Sequence, residues 1–426
     1  MLNRKKAPQI FDAVEFELQL KLYTKFTLDN GVEVYSINAG AQDVAQVECV
    51  FYAGNSYEDK NIVAATTNFM LKNGTKTKTA FAINEHFDFY GAYLNRSCHN
   101  ETATFTLHTL SKHLPKLLPE MADILTESIF PEAELAIYKQ NLKQRLEVNL
   151  KKCDFVANRL IDEYIFGFHH PYGRYTSTLD YDSLQRDELV TFYNKFYTHG
   201  KCIMFVAGKL PNDIEQQLNS AFGKLPFNQQ AITTKTFTQK PAEQKKYEII
   251  NDENGVQGAI RLARPFPNRH HPDFAKVQVL NNIFGGFFGS RLMSNIREDK
   301  GYTYGIHSYI QNLIQETAWM VSTEAGRDVC AATLEEIYKE MARLRDEKIA
   351  DEEVDLVRNY MMGSLLGGLD GPFQIISRWK SYVLNNLDES YFYNSINTIK
   401  TVTTDELQAL ANKYLQPEDF YELLVV

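Results

Sequence analysis

The sequence predicts an α+β fold in two homologous domains, each a largely antiparallel sheet packed against helices. Three observations carry this expectation. The chain has 426 residues, 44% of them hydrophobic; that is more than one ordinary core accommodates, so domains of roughly 200 residues are expected. Strand-like and helix-like stretches fall in blocks and do not alternate one for one, the pattern of α+β and not of a doubly wound sheet. Displacing the sequence against itself by about 220 residues pairs helical stretch with helical stretch, the mark of a duplicated unit.

Along the chain, Phe26-Thr27-Leu28 and Val32-Glu33-Val34 flank Asn30-Gly31, which predicts a hairpin with a turn of the primed type. Residues 47–52 and, in the second half, 259–263 read as apolar strands. The strand at 101–107 and its counterpart at 256–262 alternate in the manner of sheet edges. Either is plain sheet or a place where an extended peptide adds as a further strand, with Gln257 and Ala259 as candidate substrate contacts. Residues 114–125 form an amphipathic helix, and Phe130-Pro131-Glu132 opens a long helix running past Leu150. The second half repeats this order with a helix at 331–344 and another opened by Ile349-Ala350-Asp351-Glu352. Between the halves the apolar periodicity gives way to Lys, Thr, Gln and Pro, a composition suited to an exposed linker. The domains are therefore drawn at 1–225 and 246–426, joined by 226–245.

Charge and cysteine usage narrow the function classes. A net charge of −9, from 45 Lys and Arg against 54 Asp and Glu, leaves no basic stripe for a phosphate backbone; nucleic acid is excluded, and peptides or protein surfaces fit better. The five cysteines (Cys49, Cys98, Cys153, Cys202, Cys330) are scattered without a Cys-x-x-Cys pair. Neither a disulfide frame nor a cysteine metal site is indicated, and a reducing, cytoplasmic setting is expected. Residues 1–10 carry Arg4, Lys5 and Lys6 with no apolar core behind them, so no export signal is expected. No window approaches about twenty apolar residues, which argues against a membrane span.

The most telling stretch is 281–305. Val277, Leu280, Ile283 and Phe284 lie on helical spacing and lead to Gly285-Gly286; a second helical turn holds Leu292, Ile296 and Arg297; Gly301 stops it before a strand that opens Tyr302-Thr303-Tyr304. Arg297 then occupies the last helical turn, where a cation suits the helix dipole, and Tyr304 projects from the strand. A guanidinium fork and a phenol can together hold a peptide carbonyl, or the oxyanion that forms when water attacks it. The same spacing is also that of a surface arginine beside a half-buried tyrosine.

This stretch resembles the second-half signature of the pitrilysin/insulinase family of zinc metallopeptidases. There a glycine-rich helix end is followed by Ser-Arg-Leu, Arg-Glu and Gly-x-x-Tyr, here Gly285, Gly286, Ser290, Arg291, Leu292, Arg297, Glu298, Gly301 and Tyr304. The resemblance runs from the Thr27–Gly31 opening to the C-terminus. It implies two sandwich-like halves facing each other across a substrate cavity, Gly285 and Gly286 as substrate contacts, and Arg297 and Tyr304 assisting at a zinc ion.

Members that cleave peptides carry His-x-x-Glu-His on a first-half helix, completed by a distant Glu. Aligned on Asn73-Gly74-Thr75, that pentad falls on Ala65, Thr66, Thr67, Asn68 and Phe69; aligned on Phe130-Pro131-Glu132, the third ligand falls at Arg145, with Glu147 on another helix face. Alanine and phenylalanine donate no lone pair, asparagine is no general base, and arginine is a cation. No metal or other cofactor is expected on this chain. The His169-His170, His270-His271 and His108/His113 pairs read as surface or packing residues.

The expectation is therefore a zinc-free subunit of a two-chain peptidase. A homologous partner would bring the zinc; this chain would bind extended peptide and supply Arg297 and Tyr304, with a homodimer left open when the partner is absent. The alternative is a catalytically inactive scaffold or peptide-binding protein of the same fold, against which the retained arginine and tyrosine speak.

Overall fold

The structure is a computed structural model that describes residues 12–229, 235 and 237–426. The residues at 1–10 read above for an export signal therefore lie outside the described residues.

The first half folds around β1 (Thr24–Thr27), β2 (Glu33–Asn38), β3 (Val44–Phe51), β4 (Tyr93–Cys98), β5 (Ala103–Leu110) and β6 (Cys202–Gly208), in the sheet order β1-β2-β6-β3-β5-β4. The second half uses β7 (Lys246–Ile249), β8 (Gln257–Pro265), β9 (Thr303–Asn312), β10 (Thr317–Gly326) and β11 (Tyr421–Val425), in the order β7-β11-β8-β10-β9. Without β1 the two orders correspond strand for strand, down to the single parallel pair, β2 with β6 and β7 with β11. The duplication read from the helical stretches is thus also written in the sheets, and the fold is α+β.

Each half follows its edge hairpin with three helices: Leu114–Glu127, Glu132–Asn149 and Cys153–Phe166 after β5, and Cys330–Asp346, Asp351–Gly367 and Pro372–Leu384 after β10. The third helix of each set crosses to the other half. Cys153–Phe166 lays Val156, Ala157, Ile161 and Ile165 on Ala259, Ala263, Leu423 and Val425 of the second sheet. In return, Pro372–Leu384 packs Ile376 and Trp379 with Tyr35, Ile37, Phe205 and Ala207 of the first sheet. Lys380 on that helix pairs at 2.8 Å with Glu48 of β3, which is 5% exposed. Since burying each large apolar side chain contributes about 1.5–3 kcal/mol, this reciprocal exchange makes the two halves one body.

Two expectations need correction and a third is refined. The turn at Asn30-Gly31 is a hairpin, but only Gly31 takes a positive φ, +82°. Gly31 N donates to Leu28 O and Leu28 N to Val32 O, so the loop is a three-residue turn closed by a left-handed glycine and not the primed type. Neither strand read as an edge is one: β5 lies between β3 and β4, and β8 between β11 and β10. Ala259 pairs with Glu324 on one side and Val425 on the other, and Gln257 with Gly326, so no peptide can add at Ala259. Alternation reports that the two faces differ, not whether a neighbour lies alongside. The edges on the helix-bearing side are β4 and β9. Finally, the described part of the 226–245 stretch is largely exposed but tethered: Gln229, Thr238, Lys240, Pro241, Glu243 and Gln244 are exposed, while Phe227 is buried in the first core, and Lys240 N and Ala242 N donate to Phe166 O and Tyr164 O at the end of the crossing helix.

Candidate functional site: a sealed motif helix and an Arg/Tyr arm

The helix Val63–Met70 follows Ile62, whose φ is +67°, and its Ala64 N–H donates to the Glu58 carboxylate at 2.8 Å. Burial pushes Glu58 up to about 7, against the pull of Arg174 at 2.8 Å. Ala65 is half-buried and offers a methyl group. Asn68 is 3% exposed, and its Nδ2 donates to Thr104 O and to the Tyr197 hydroxyl, both at 3.1 Å, so both of its N–H groups are engaged inside the fold. Phe69 points the other way. Its ring lies 4.7 Å from Tyr138 and 4.6 Å from the Arg96 guanidinium, whose Nη1 donates to Phe69 O. Arg145 stands two turns beyond Tyr138 on the same face of Glu132–Asn149, about 10 Å along the axis, and is exposed.

A metal centre at these positions would have a methyl, an aromatic ring and a guanidinium where its three ligands belong, and a carboxamide where the general base belongs; none of the three fits zinc. Among the described residues no group of three or more His, Cys, Asp and Glu could hold a metal ion. Three of the histidines serve the fold: His170 Nδ1 accepts from Tyr172 N, His271 Nδ1 accepts from Asp273 N, and His270 contacts Asn385 O.

The arm in the second half is built more firmly than its glycines suggest. The helix Phe274–Asn281 continues in wider turns to Gly286 and is fastened to β9 by a buried polar cluster. Asn281 Nδ2 donates to Ser308 O, the Ser308 hydroxyl donates to Asn281 Oδ1 at 2.7 Å, and Trp319 Nε1 donates to that hydroxyl, also at 2.7 Å. Gly285 lies where the helix passes the strand: a Cβ there would sit 2.7 Å from Ser308 Cβ. Gly286 has Asn281 and Asn282 around it in the same way. The geometry gives both glycines a packing role beneath the arm. Arg291 then grips Glu353 through two bonds at 2.8 and 2.9 Å, tying the arm to helix Asp351–Gly367.

Gly301, at φ +67°, reverses the chain, and Tyr302 N donates to Ile296 O across the reversal. Arg297 and Tyr304 are thus on the two limbs of one closed turn. Arg297 is one-third exposed, pairs with Glu298 at 3.2 Å and lies 4.6 Å above the Phe288 ring. Tyr304 is 96% exposed. The β9–β10 register slips between Thr323 and Ala325, leaving Tyr304 and Gly305 opposite Glu324. Such a bulge re-aims the side chain it carries, and Thr303 pins it by donating to Glu324 O at 2.6 Å. Gln257 and Ala259 lie beyond β10 from this turn. Sequence reasoning missed the Asn281–Ser308–Trp319 cluster and the Arg291–Glu353 clasp. An asparagine inside the apolar run 277–284 was the available signal.

The fold and these two places define a class: a duplicated α+β peptidase scaffold whose motif helix carries no metal ligand. The chain belongs to peptidase family M16, the pitrilysin/insulinase family. Residues 33–170 match the insulinase domain of that family and residues 183–361 match its peptidase M16 inactive domain. The uncharacterized zinc protease YmxG of Bacillus subtilis is 25% identical over 411 residues, 94% of this chain and 97% of that one. An uncharacterized zinc protease of Rickettsia felis is 25% identical over 353 residues, 80% and 82% of the two chains. Among solved structures, a peptidase M16 inactive domain from Pseudomonas fluorescens superposes with a TM-score of 0.82 at 24% identity, over 95% of this chain and 98% of that one. The periplasmic protease PqqL of Escherichia coli gives 0.78 at 12% identity over all of this chain but only 49% of its own. Among the described residues no helix is long and apolar enough to cross a membrane.

Proposed function

We propose that this chain is the zinc-free subunit of a two-chain peptidase. It supplies Arg297 and Tyr304 to a centre whose zinc is held by a homologous partner that retains His-x-x-Glu-His. The observation that carries this reading is the contrast within one chain. The ligand positions Ala65, Phe69 and Arg145 hold groups that do not ligate zinc and the general-base position holds Asn68, while Arg297 and an almost fully exposed Tyr304 are presented on a turn that is closed, bulged and clasped. A scaffold without catalysis has no use for a tyrosine exposed on a bulge. The correspondence of this chain to half of PqqL also suits a protein that works as one of two such units.

Chemically, the guanidinium and the phenol donate hydrogen bonds to a substrate carbonyl oxygen, and more strongly to the oxyanion that develops from it. The peptide lies extended along the open edge of β4 or β9, taking backbone hydrogen bonds that demand little of its sequence. Five unpaired cysteines suit a reducing compartment.

The test is to isolate the chain from its own cells with whatever accompanies it and to assay peptide cleavage with and without a chelator. Chelator-sensitive cleavage by the pair, and none by this chain alone, supports the reading. Cleavage by the purified single chain overturns it.

A further inference from the structure

Where the second half's helix Pro372–Leu384 crosses the first sheet it leaves a cavity of about 810 Å³, bordered by Glu48 and His108 on one wall and Arg269, Arg378 and Lys380 on the other. Its charges do not balance. Lys380 is matched by Glu48 at 2.8 and 3.0 Å, and Glu48 is the only carboxylate on the lining. Arg269 donates from Nη1 to the Ser381 hydroxyl at 3.0 Å, and its Nε is buried without a partner. Arg378 makes one side-chain hydrogen bond, to the Tyr382 hydroxyl at 3.5 Å, and lies 5.4 Å above the Phe392 ring; its Nε is likewise buried and unpaired. Neither guanidinium has an ion-pair partner among the described residues, and the residues outside them include no Asp or Glu. Because Ser381 lies one turn after Arg378, the bond from Arg269 brings the two guanidiniums to the same stretch of helix.

Removing a charge from water without a counter-charge is expensive, and two donor atoms left unpaired add to it. Burial already pulls Arg269 below the usual arginine range. Arg378 also lies against Gly368 beyond the end of helix Asp351–Gly367, whose dipole offsets at most about half a unit of charge. More than one positive charge remains unmatched beside a space of the size that small-molecule ligands fill, roughly 300–1,000 Å³.

We propose that this cavity binds a phosphate-type dianion, free or as the ester of a small molecule, held by Arg269 and Arg378 with the Ser381 hydroxyl between them. Two guanidinium forks match the charge and the oxygen spacing of such a group. The site is independent of the peptidase reading, since it involves neither the motif helix nor the Arg297/Tyr304 turn.

The full chain is titrated calorimetrically at constant ionic strength with inorganic phosphate and, in a second arm, with glycerol 3-phosphate. Saturable binding with a Kd of about 1 mM or tighter is expected, weakened about tenfold or more by Arg269→Gln and by Arg378→Gln. In phosphate-free buffer the same variants should be at least as resistant to unfolding as the parent, because each removes a half-buried charge that has no ion-pair partner. Tighter binding of the ester identifies a small-molecule ligand; equal binding identifies free phosphate. Should a glutamine variant fold poorly, Arg378→Lys, which keeps the charge and loses the fork, is expected to weaken binding while leaving the fold intact. Absence of saturable heat up to about 10 mM in both arms, or binding unchanged in every variant, overturns the proposal.

Discussion

In the first half, Asn68 ties helix Val63–Met70 to β5 and to Tyr197; in the second, Asn281 ties helix Phe274–Asn281 to β9. Both helices follow the second strand of their half's matching core, and both are anchored by a buried asparagine. What projects from them differs. The first ends its outward face in Phe69, 45% exposed, whose ring meets Tyr138 and the Arg96 guanidinium. The second runs on into a clasped turn that offers Arg297 and Tyr304 to solvent. The difference teaches that the scaffold and its chemistry are separable: the same helix-on-sheet joint persists whether or not it carries reactive groups.

The sharpest way to break this comparison is to disable the arm. Arg297→Ala, assayed with the zinc-bearing partner, is expected to lower peptide turnover by roughly tenfold to a thousandfold, as for loss of one oxyanion donor. Its unfolding midpoint should move little, because the side chain is partly exposed and its contacts, Glu298 and the exposed Phe288 ring, are both at the surface. Unchanged turnover with the partner would reduce the arm to decoration.

A second measurement probes how the halves hold together. Asp162, on the helix that crosses from the first half to the second sheet, is half-buried with its Oδ1 out of reach of solvent, and is raised from 3.8 to about 7, first by desolvation and against a hydrogen bond with Gln311. One oxygen of each side chain otherwise lacks a partner, which a protonated carboxyl donating to Gln311 would remedy. The folded state therefore keeps a proton that the unfolded state gives up above about 4. Stability contributed by Asp162 is present below that value, falls as pH rises towards 7, and is flat beyond. Relative to Asp162→Asn, the parent should lose on the order of 4 kcal/mol across this window. Denaturation curves at the two ends check it; parallel behaviour of parent and variant would refute the protonated acid.

The reciprocal crossing in the other direction rests on Lys380 and Glu48. Lys380→Met leaves the Glu48 carboxylate, 5% exposed, without its partner, and should destabilise the chain by about 3 kcal/mol. Glu48→Gln combined with Lys380→Met should recover most of that loss, since no lone charge then remains. Failure of the double variant to recover would show that the helix contact, and not the pair, bears the effect.

How much of this was legible beforehand follows from range. The hairpin, both long helix pairs and the glycine stop at 301 are local patterns, and each stands where the residues place it, save that the helix opened by Phe130-Pro131-Glu132 ends at Asn149 and does not run past Leu150. The edge assignment of the strands at 101–107 and 256–262 was not legible, because pairing depends on strands distant in sequence, Tyr421–Val425 among them. The exchange of the third helices was hidden for the same reason: the apolar stripes of Cys153–Phe166 and Pro372–Leu384 announce burial but not against which sheet. The wrong turn type at Asn30-Gly31 came from a dipeptide preference overridden by one extra residue in the loop.

The finest test sets the two anchoring asparagines side by side. Asn68→Ala strips the Thr104 carbonyl and the Tyr197 hydroxyl of a donor, and Asn281→Ala strips Ser308 of both a donor and an acceptor. Each should cost about 1–3 kcal/mol, the penalty for leaving buried polar atoms unmatched. The two variants should part company in the partner assay. Nothing that projects from the first helix takes part in turnover on this reading, so Asn68→Ala should lower stability alone. Asn281 fixes the helix that leads into the arm, and a shift of that helix moves Arg297 relative to Tyr304, so Asn281→Ala should lower stability and turnover together. Unfolding and cleavage measured on the same preparations decide it: equal loss of turnover in both variants would mean that the two halves respond as one unit, and that the arm has no private support.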